Sequence, residues 1–371
     1  MSKERTAVLK IAGVFISTVI GAGFASGQEI VTFFIRYGRS GLLGLAAAGA
    51  LFILYGWGIL SCVYKEKIRT YSDFTDAVAG RQAGRVLSWI VTAFMLLSYG
   101  VMLAGSGAIL REQFGLSFET GVLLMSGATF LTFLTGAKGL VSVNSFLAPV
   151  LTAGILFVSI LGIVQPQKTA QANSYLQLVP LSMLSIPQSG HIGKAILSSL
   201  LYVSYNMLTA AAVLTTLRPY LIQEKTPLRA ALAGGGTLAV VSLVLGVATF
   251  INYGTIKEIE VPALQLVADE RILSYLYTFI LLGAMYTTAI SNGYGFTDAL
   301  RSVLPVGKLW MSVLTVLLGI FVSQLGFSQL VNKGYSLFGY IGLFQLLLLS
   351  MHWIGARRGF SHKRSKVHEK S

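Results

Sequence analysis

Three glycines within seven residues mark the segment of this chain best suited to binding a ligand. The segment reads GAGFASGQE, from Gly21 to Glu29, and interrupts a long apolar stretch. Glycine destabilises a helix by about 1 kcal/mol relative to alanine and tolerates positive φ, so this composition predicts locally unwound backbone. Inside a bilayer, unwound backbone occurs only where protein or a water-filled cavity satisfies its N–H and C=O groups. The segment therefore predicts a cavity.

The half-helix that follows the interruption would suit an anion. Starting near Ser26, it would direct the N–H groups of Ala25, Ser26 and Gly27, and the positive end of its dipole, at a carboxylate in the cavity. The same glycines are also typical of close packing between helices through small residues, which needs no ligand. The residues by themselves leave both interpretations open.

Glu29 is the acidic residue deep in this first apolar stretch. An ionisable side chain inside a membrane span is a functional candidate by default. Its carboxyl group could carry a proton, or it could neutralise the dipole of the second half-helix.

A later stretch, LYVSYNMLTA, carries Tyr202, Ser204, Tyr205 and Asn206 at mid-membrane depth. Polar residues at this depth tend to line cavities, although they also bond to neighbouring helices. The stretch occupies the position in the second half of the chain that matches the first interruption. We therefore predict a break here too, although residues 195–216 contain no glycine or proline.

The eighth apolar stretch carries hydroxyl and amide side chains within little more than one helical turn: Thr287, Thr288, Ser291 and Asn292. Hard cations prefer such oxygen ligands. Together with carbonyls freed at Gly21 and Phe24, these side chains could hold Na⁺ without a buried carboxylate. Helix packing is the alternative role for the same hydroxyls.

The elements that must position these residues are membrane helices. The chain has 371 residues, of which 54% are hydrophobic and 11% charged, and its mean hydropathy is +0.72. This is more apolar surface than one soluble core can bury. Ten apolar runs predict membrane spans: about 8–35, 41–63, 86–110, 118–136, 140–164, 195–217, 228–252, 271–297, 307–325 and 334–355.

The charge pattern indicates an orientation rather than a nucleic-acid partner. The net charge is +14, and the basic residues lie in short loops between the spans and in the tail. Counting them by side places both termini in the cytoplasm of a bacterial cell, with the protein in the inner membrane. A basic start followed by GFASG also resembles a secretory signal peptide, but apolar character resumes in EIVTFF and favours a membrane helix.

Several other function classes are excluded by composition. The single cysteine, Cys62, and four histidines provide neither a disulfide framework nor a metal-ligand cluster. No nucleophile, base and orienting group can be placed together, so an enzyme is not predicted. No GxxxxGK[ST] phosphate loop is present for an ATP-driven pump. We predict no cofactor other than Na⁺ as a coupling ion.

The span count predicts an internal duplication. A long segment, 165–194, leaves five spans on either side, and an odd number per half forces the halves into opposite orientations. The prediction is a single all-α membrane domain over 1–371, with inverted five-helix repeats at about 8–164 and 195–355 and a basic cytoplasmic tail at 356–371. In the external segment 253–270, VPALQLVADE predicts a short helix on the outer surface.

This arrangement resembles the amino acid–polyamine–organocation superfamily, whose LeuT-type fold has two inverted five-helix repeats with broken first and sixth helices. The GAGFASGQE signature more specifically resembles the uncharacterised bacterial YkvI-type group of amino acid permeases. The resemblance implies a substrate site at Ala22, Gly23, Ala25, Ser26, Gly27, Tyr99, Tyr202, Ser204 and Asn206. It implies a sodium site at Gly21, Phe24, Thr287, Thr288 and Ser291. The sixth span lacks the usual glycine of the superfamily, and the fifth has no interior lysine, which favours Na⁺ over H⁺.

Two functions from different classes follow from these observations. The first is a secondary transporter that moves a small solute, an amino acid by resemblance, by alternating access with Na⁺ or H⁺ coupling. The second is a ligand-sensing receptor subunit on the same scaffold, which would bind its ligand without transporting it. The expected partners are a small-molecule substrate and the lipid bilayer, with no nucleic acid. The sequence leaves the oligomeric state open.

Overall fold

The computed structural model describes residues 3–165, 189–256, 259, 261–301, 303–326 and 338–354. These residues form helices and the turns that join them, without a β-strand among the described residues. The predicted tail, 356–371, and most of the segment 165–194 lie outside this set. The all-α fold class predicted from the sequence is confirmed.

The helices are numbered here in chain order. The first half of the chain contains α1 (Lys3–Val19), α2 (Ala22–Ala25), α3 (Gln28–Phe33), α4 (Arg39–Lys65), α5 (Tyr71–Ala79), α6 (Arg81–Phe114) and α7 (Phe118–Val164). The second half contains α8 (Ser189–Thr215), α9 (Thr226–Ile251), α10 (Tyr253–Ile256), α11 (Pro262–Gln265), α12 (Arg271–Arg301), α13 (Lys308–Ser323) and α14 (Phe338–Ile354).

Six of these helices are long and apolar enough to cross a bilayer: α4, α6, α7, α8, α9 and α12. The shorter apolar helices α13 and α14 coincide with the predicted ninth and tenth spans. Large apolar side chains on the outer faces are exposed, Phe146 and Phe321 to more than 70%. Exposed aromatic residues of this kind suit contact with lipid acyl chains rather than water.

The first span is interrupted, as the glycine pattern predicts. Helix α1 ends at Val19, α2 is a single turn, and α3 starts only after Gly27. Gly27 has φ of 78°, in the left-handed region that glycine adopts without steric cost. The first span is therefore three short helical pieces, α1 to α3, rather than one helix.

The sixth span is continuous, so the prediction that it is also broken is wrong. Helix α8 runs without interruption from Ser189 to Thr215. Without a glycine or proline in residues 195–216, each N–H can bond to the carbonyl four residues earlier. Breaking those bonds inside a membrane protein would have no compensation.

Helix α7 contains two predicted spans, the fourth and the fifth. Its 47 residues would extend about 70 Å as a straight helix, roughly twice the hydrocarbon core. The chain turns instead at Gly136, where φ is 72° and ψ is −159°. Lys308 on α13 donates a 2.6 Å hydrogen bond to the carbonyl of Leu134 beside this turn. The predicted boundary after residue 136 is confirmed.

The interrupted span lies at the centre of the bundle. Helix α1 packs against α7 and α9, with α8 and α12 also in contact, while α4 packs on α8 and α9 and α12 packs on α6 and α7. Glycines permit the close approach of α1: a Cβ on Gly13 would lie 2.9 Å from the Cα of Ser145 on α7. This packing surrounds the interruption with protein on all sides, as unwound backbone in a membrane requires.

The segment after α9 packs against the bundle. The predicted short helix is present as α11, and Ala263, Leu266 and Val267 are buried. Its location on the outer side of the membrane stays a prediction. Its apolar side chains find their burial against the first span, because Ala263 contacts Gly27.

Candidate functional site

A small central cavity lies at the interruption of the first span. Its volume is about 20 Å³, which is room for about one water molecule in this conformation. The lining residues come from the first span and from α6, α8 and α12: Thr18, Val19, Gly21, Glu29, Phe94, Ser98, Met102, Tyr205, Asn206, Thr209, Thr288 and Asn292. The first span and three further helices thus contribute polar groups to one small cavity.

Glu29 folds back over the backbone of Gly23. A Cβ on Gly23 would overlap Oε1 of Glu29, so no larger residue fits there without moving the carboxylate. The Glu29 side chain is 6% exposed and belongs to the first turn of α3, where the helix dipole favours a negative charge. Gly23 and Glu29 therefore act together, because the absence of a side chain on Gly23 leaves the space that the Glu29 carboxylate occupies.

Two tyrosines of α8 face this carboxylate. The hydroxyl groups of Tyr202 and Tyr205 both lie within interaction distance of Glu29. Tyr202 is fully buried, and its ring centroid lies 5.0 Å from that of Phe34 and 5.6 Å from that of Tyr205. An aromatic cluster therefore surrounds the carboxylate of the first span.

On the other side of the cavity, α12 meets the end of α1 through hydroxyl and carbonyl oxygens. The Thr288 hydroxyl lies 3.5 Å from the carbonyl oxygen of Ser17 and 3.3 Å from that of Ile20. Ser291 Oγ lies 3.5 Å from the Thr18 hydroxyl. These oxygens converge where the last carbonyls of α1 lose their helical partners.

The predicted sodium ligands are only partly brought together. Thr288 and Ser291 are at this junction, and Gly21 packs against Thr288. The Gly21 carbonyl accepts from the N–H of Ala25, and the Phe24 carbonyl accepts from that of Gly27.

The remaining predicted ligand, Thr287, bonds to Ala284 on its own helix. The carbonyls at the junction are instead those of Ser17 and Ile20, one turn earlier than predicted. The reason is α2: this single turn recaptures the carbonyls that a simple break would have released.

The same turn removes the predicted anion donors. The N–H groups of Ala25, Ser26 and Gly27 all donate to backbone carbonyls, at 2.9, 2.8 and 2.9 Å respectively. The expectation that they are unpaired is therefore wrong. By helix geometry, the N–H groups without an intrahelical partner are those of the first turn of α2, which includes Ala22 and Gly23.

Two further predicted substrate residues point away from the cavity. The Tyr99 hydroxyl pairs with that of Thr129 at 2.8 Å. The Ser204 hydroxyl donates to the carbonyl of Gly339 at 2.6 Å. Both residues contact neighbouring helices, which was the alternative interpretation for polar groups at this depth.

Asn206 is the α8 residue of the predicted set that lines the cavity, and its side-chain amide donates to the Tyr202 carbonyl at 3.0 Å. Lining residues that the sequence prediction missed are on α1, α6 and α8: Thr18, Val19, Phe94, Ser98, Met102 and Thr209. The sequence contains a signal for Thr209. It lies on the same helical face as three other polar residues, at the i, i+3, i+4, i+7 spacing: Tyr202, Tyr205, Asn206 and Thr209.

The Ser98–Asn292 pair joins α6 to α12 across the cavity. The Asn292 side-chain amide donates to Ser98 Oγ at 2.8 Å, while its Oδ1 has no hydrogen-bond partner among the described residues. A buried amide oxygen without a partner costs roughly 1–3 kcal/mol. Such an atom at a cavity wall is suited to accepting a hydrogen bond from a ligand or to contacting a cation.

The cavity is closed on the side of α11. The N–H of Ala263 donates to the carbonyl of Ser26 at 2.8 Å, and the Tyr277 hydroxyl donates to the carbonyl of Ala25 at 2.5 Å. The first bond holds the segment after α9 against the interruption, and the second joins α12 to it.

A second cavity, called the vestibule here, lies on the opposite side. Its volume is about 540 Å³, and its walls include Tyr71 of α5, Arg85 and Met95 of α6, Ala212 of α8 and Asp298 of α12. Helix α5 connects α4 to α6 on the side where α1 begins, whereas α11 connects α9 to α12 on the other. Met95 is adjacent to Phe94, which lines the central cavity. The vestibule therefore lies next to the central cavity, on the side of the N-terminus.

No family model matches this sequence. The chain is similar to the uncharacterised membrane protein YkvI of Bacillus subtilis (strain 168), with 29% identity over 347 residues, which cover 92% of this chain and 95% of YkvI. The similarity extends over nearly the full length of both proteins.

Solved structures with a similar fold are transporters. The chain superposes on MhsT in complex with L-phenylalanine with a TM-score of 0.70 at 14% identity, covering 92% of this chain and 88% of MhsT. It superposes on a substrate-bound, outward-open Na⁺-coupled sialic acid symporter with a TM-score of 0.64 at 13% identity, covering 93% and 78%. The protein has the LeuT-type membrane fold that the sequence resemblance implied.

Proposed function

We propose that this protein is a secondary active transporter of a small solute, an amino acid or a close relative, working by alternating access with Na⁺ coupling. The observation that carries this proposal is the position of the central cavity. It lies at a break in the first span, is covered by α11 on one side and is approached by the vestibule on the other. A site with one covered and one approachable side is what alternating access requires.

The similar structures support the solute class. MhsT binds L-phenylalanine, and the sialic acid symporter is Na⁺-coupled. The central cavity has room for about one water molecule here, so a solute would enter a conformation in which α6 and α8 stand further from the first span. Transporters of this kind change volume at the site as they open and close.

The junction of α1 and α12 is the proposed seat of Na⁺. The carbonyls of Ser17 and Ile20 and the hydroxyls of Thr288 and Ser291 are hard oxygen ligands on two separate helices. A cation between them would fix α1 relative to α12 and so couple ion binding to the shape of the cavity. Glu29 is the remaining candidate for proton coupling.

We also propose the cellular setting from the charge pattern. The excess of Lys and Arg in loops on one side places the N- and C-termini in the cytoplasm and the vestibule on the cytoplasmic face of a bacterial inner membrane. The similar solved structures are transporters rather than enzymes, and we expect no chemical turnover of the solute.

The test is uptake of pooled radiolabelled amino acids into proteoliposomes, with and without an inward Na⁺ gradient. Gly23→Leu should abolish Na⁺-dependent accumulation, because its side chain would displace Glu29. Gly127→Leu is the matched control, since Gly127 is exposed and a Cβ there meets no atom within 4 Å.

Two outcomes would contradict the proposal. Equal accumulation by Gly23→Leu and the wild type would show that the solute does not bind at the interruption of the first span. Ligand binding by purified wild type without any flux would favour a sensor on the same scaffold.

A further inference from the structure

Glu29 differs in its environment from every other acidic or basic residue in the described part of the chain. It is the only Asp, Glu, Lys or Arg among the buried residues there. No ion pair to Glu29 occurs between described residues, and Oε2 has no hydrogen bond of good geometry. A buried carboxylate without a cationic partner is costly, and the tyrosine hydroxyls and the α3 dipole are neutral groups that carry no full positive charge, so the position is suited to a cationic partner from outside the chain.

The cavity that the carboxylate faces contains no positive side chain. Among its twelve lining residues, none is Lys, Arg or His, and the others are apolar, hydroxyl or amide side chains. The missing positive charge must therefore come from a ligand or a proton. A solute with only negative or neutral groups would leave the carboxylate uncompensated.

The groups around Glu29 distinguish between these two sources of charge. Tyr205 lines the cavity, and its ring lies 5.7 Å from that of Phe33, while Tyr202 lies 5.4 Å from Phe33. Aromatic faces attract an organic cation through the ring quadrupole, and a carboxylate beside them completes a site for an ammonium group. A proton carried by Glu29 would gain nothing from those rings.

We propose that Glu29 is the counter-ion for a protonated amine of the solute, so that the substrate class is a small primary amine or amino acid. This inference rests on the proposed function, since it assigns a ligand to the same central cavity. The ammonium group donates to the Glu29 carboxylate and lies against the Tyr205 ring, and the side chains of Asn206 and Thr209 form the adjacent wall. A bound amine neutralises the Glu29 charge, whereas an anionic solute would be repelled by it, which gives selectivity against anionic solutes.

The experiment measures binding and exchange, neither of which needs a driving gradient. Purified wild type, Glu29→Gln and the exposed control Glu112→Gln are tested for binding of radiolabelled amino acids and alkylamines, and for counterflow of the same probes in proteoliposomes. Removing one partner of a buried charge pair costs about 2–5 kcal/mol, so Glu29→Gln should bind amines roughly 30-fold or more weakly. Glu112→Gln should match the wild type.

A second measurement needs no substitution and so does not depend on how a variant folds. Unlabelled 2-hydroxy acids, which replace the amine of each amino acid with a neutral hydroxyl, are added as competitors to the wild type. They should compete at least tenfold less well than the amino acids. Equal competition by the 2-hydroxy acids would overturn the proposal.

Other outcomes separate this inference from the proposed function. If Glu29→Gln keeps binding and counterflow but loses accumulation driven by a proton gradient, Glu29 is a proton carrier and the amine subsite is wrong. If amines bind through Glu29 but no flux occurs, the amine subsite stands and the transporter proposal fails. If the wild type moves 2-hydroxy acids but neither binds nor moves an amine, the transporter proposal stands and the amine subsite is wrong.

Discussion

The backbone N–H of Ala263 donates a 2.8 Å hydrogen bond to the carbonyl oxygen of Ser26, and this bond joins the segment after α9 to the break in the first span. The adjacent carbonyl, that of Ala25, accepts from the Tyr277 hydroxyl. Both carbonyls belong to the end of α2, where a helix leaves its last acceptors unpaired. Moving α11 away from the cavity must break the bond between Ala263 and Ser26, so water or a ligand has to replace it.

A cross-link across this contact should stop transport. A Cβ on Gly27 would lie 3.5 Å from the Cβ of Ala263, which is within the range that a disulfide spans. We expect Gly27→Cys with Ala263→Cys, in a Cys62→Ser background, to lose uptake when oxidised and to regain it with reductant. Uptake by the reduced double variant is the control. Full uptake with complete cross-linking would show that α11 need not move.

The proposed sodium ligands predict a change in ion dependence. Thr288→Val removes a hydroxyl that contacts the end of α1, so the Na⁺ concentration for half-maximal uptake should rise roughly tenfold, equivalent to about 1.4 kcal/mol. Thr288→Ser should restore the wild-type value. Thr237→Val is the control, because the Thr237 hydroxyl bonds within its own helix to Ala233. An unchanged Na⁺ dependence in Thr288→Val would show that Na⁺ does not bind at the junction of α1 and α12.

The face of α6 that contacts the solute can be tested with adjacent residues. Ser98 lines the cavity, whereas the Tyr99 hydroxyl pairs with Thr129. Ser98→Ala should therefore weaken uptake, since it leaves the Asn292 amide without its acceptor. Tyr99→Phe should leave the half-saturating solute concentration unchanged and lower stability by about 1 kcal/mol or less. Uptake kinetics and thermal unfolding in detergent measure the two effects, and the opposite pattern would contradict the structure.

The turn within α7 predicts a stability change. Gly136 has φ of 72° and ψ of −159°, a region essentially confined to glycine, where a residue with a Cβ costs roughly 1–3 kcal/mol. Gly136→Ala should therefore lower the unfolding temperature measured in detergent. Gly127→Ala, in the first segment of the same helix, should raise it or leave it unchanged, because alanine favours the helix and meets no neighbour. Equal effects of the two substitutions would mean that the turn is not strained.

Much of the fold follows from the sequence by itself. Apolar run lengths determine where the chain can cross a bilayer, since a span needs about 20 residues, and the described helices coincide with the predicted runs. The glycines at 21, 23 and 27 determine where the first span is interrupted. The single turn that Gly136 makes between two long apolar segments is similarly local, because only glycine adopts its φ without cost.

The composition of the site required the tertiary structure. Adjacent residues on a helix differ by 100° in direction, so the choice of Ser98 over Tyr99, or of Asn206 over Ser204, depends on how α6 and α8 are rotated against their neighbours. Local sequence does not determine that rotation, which results from packing of whole helix faces.

The tertiary structure also determined which backbone groups at the interruption are paired and which are available to a ligand. Helix α2 pairs the N–H groups of Ala25 to Gly27 and moves the available carbonyls back to Ser17 and Ile20. The segment that contains α11 packs against that turn, and its Ala263 N–H donates to the carbonyl of Ser26. These hydrogen bonds join segments more than 200 residues apart, so they form only in the assembled bundle. The sequence therefore determined where the first span breaks, and the tertiary structure decided which backbone atoms the break leaves for a ligand.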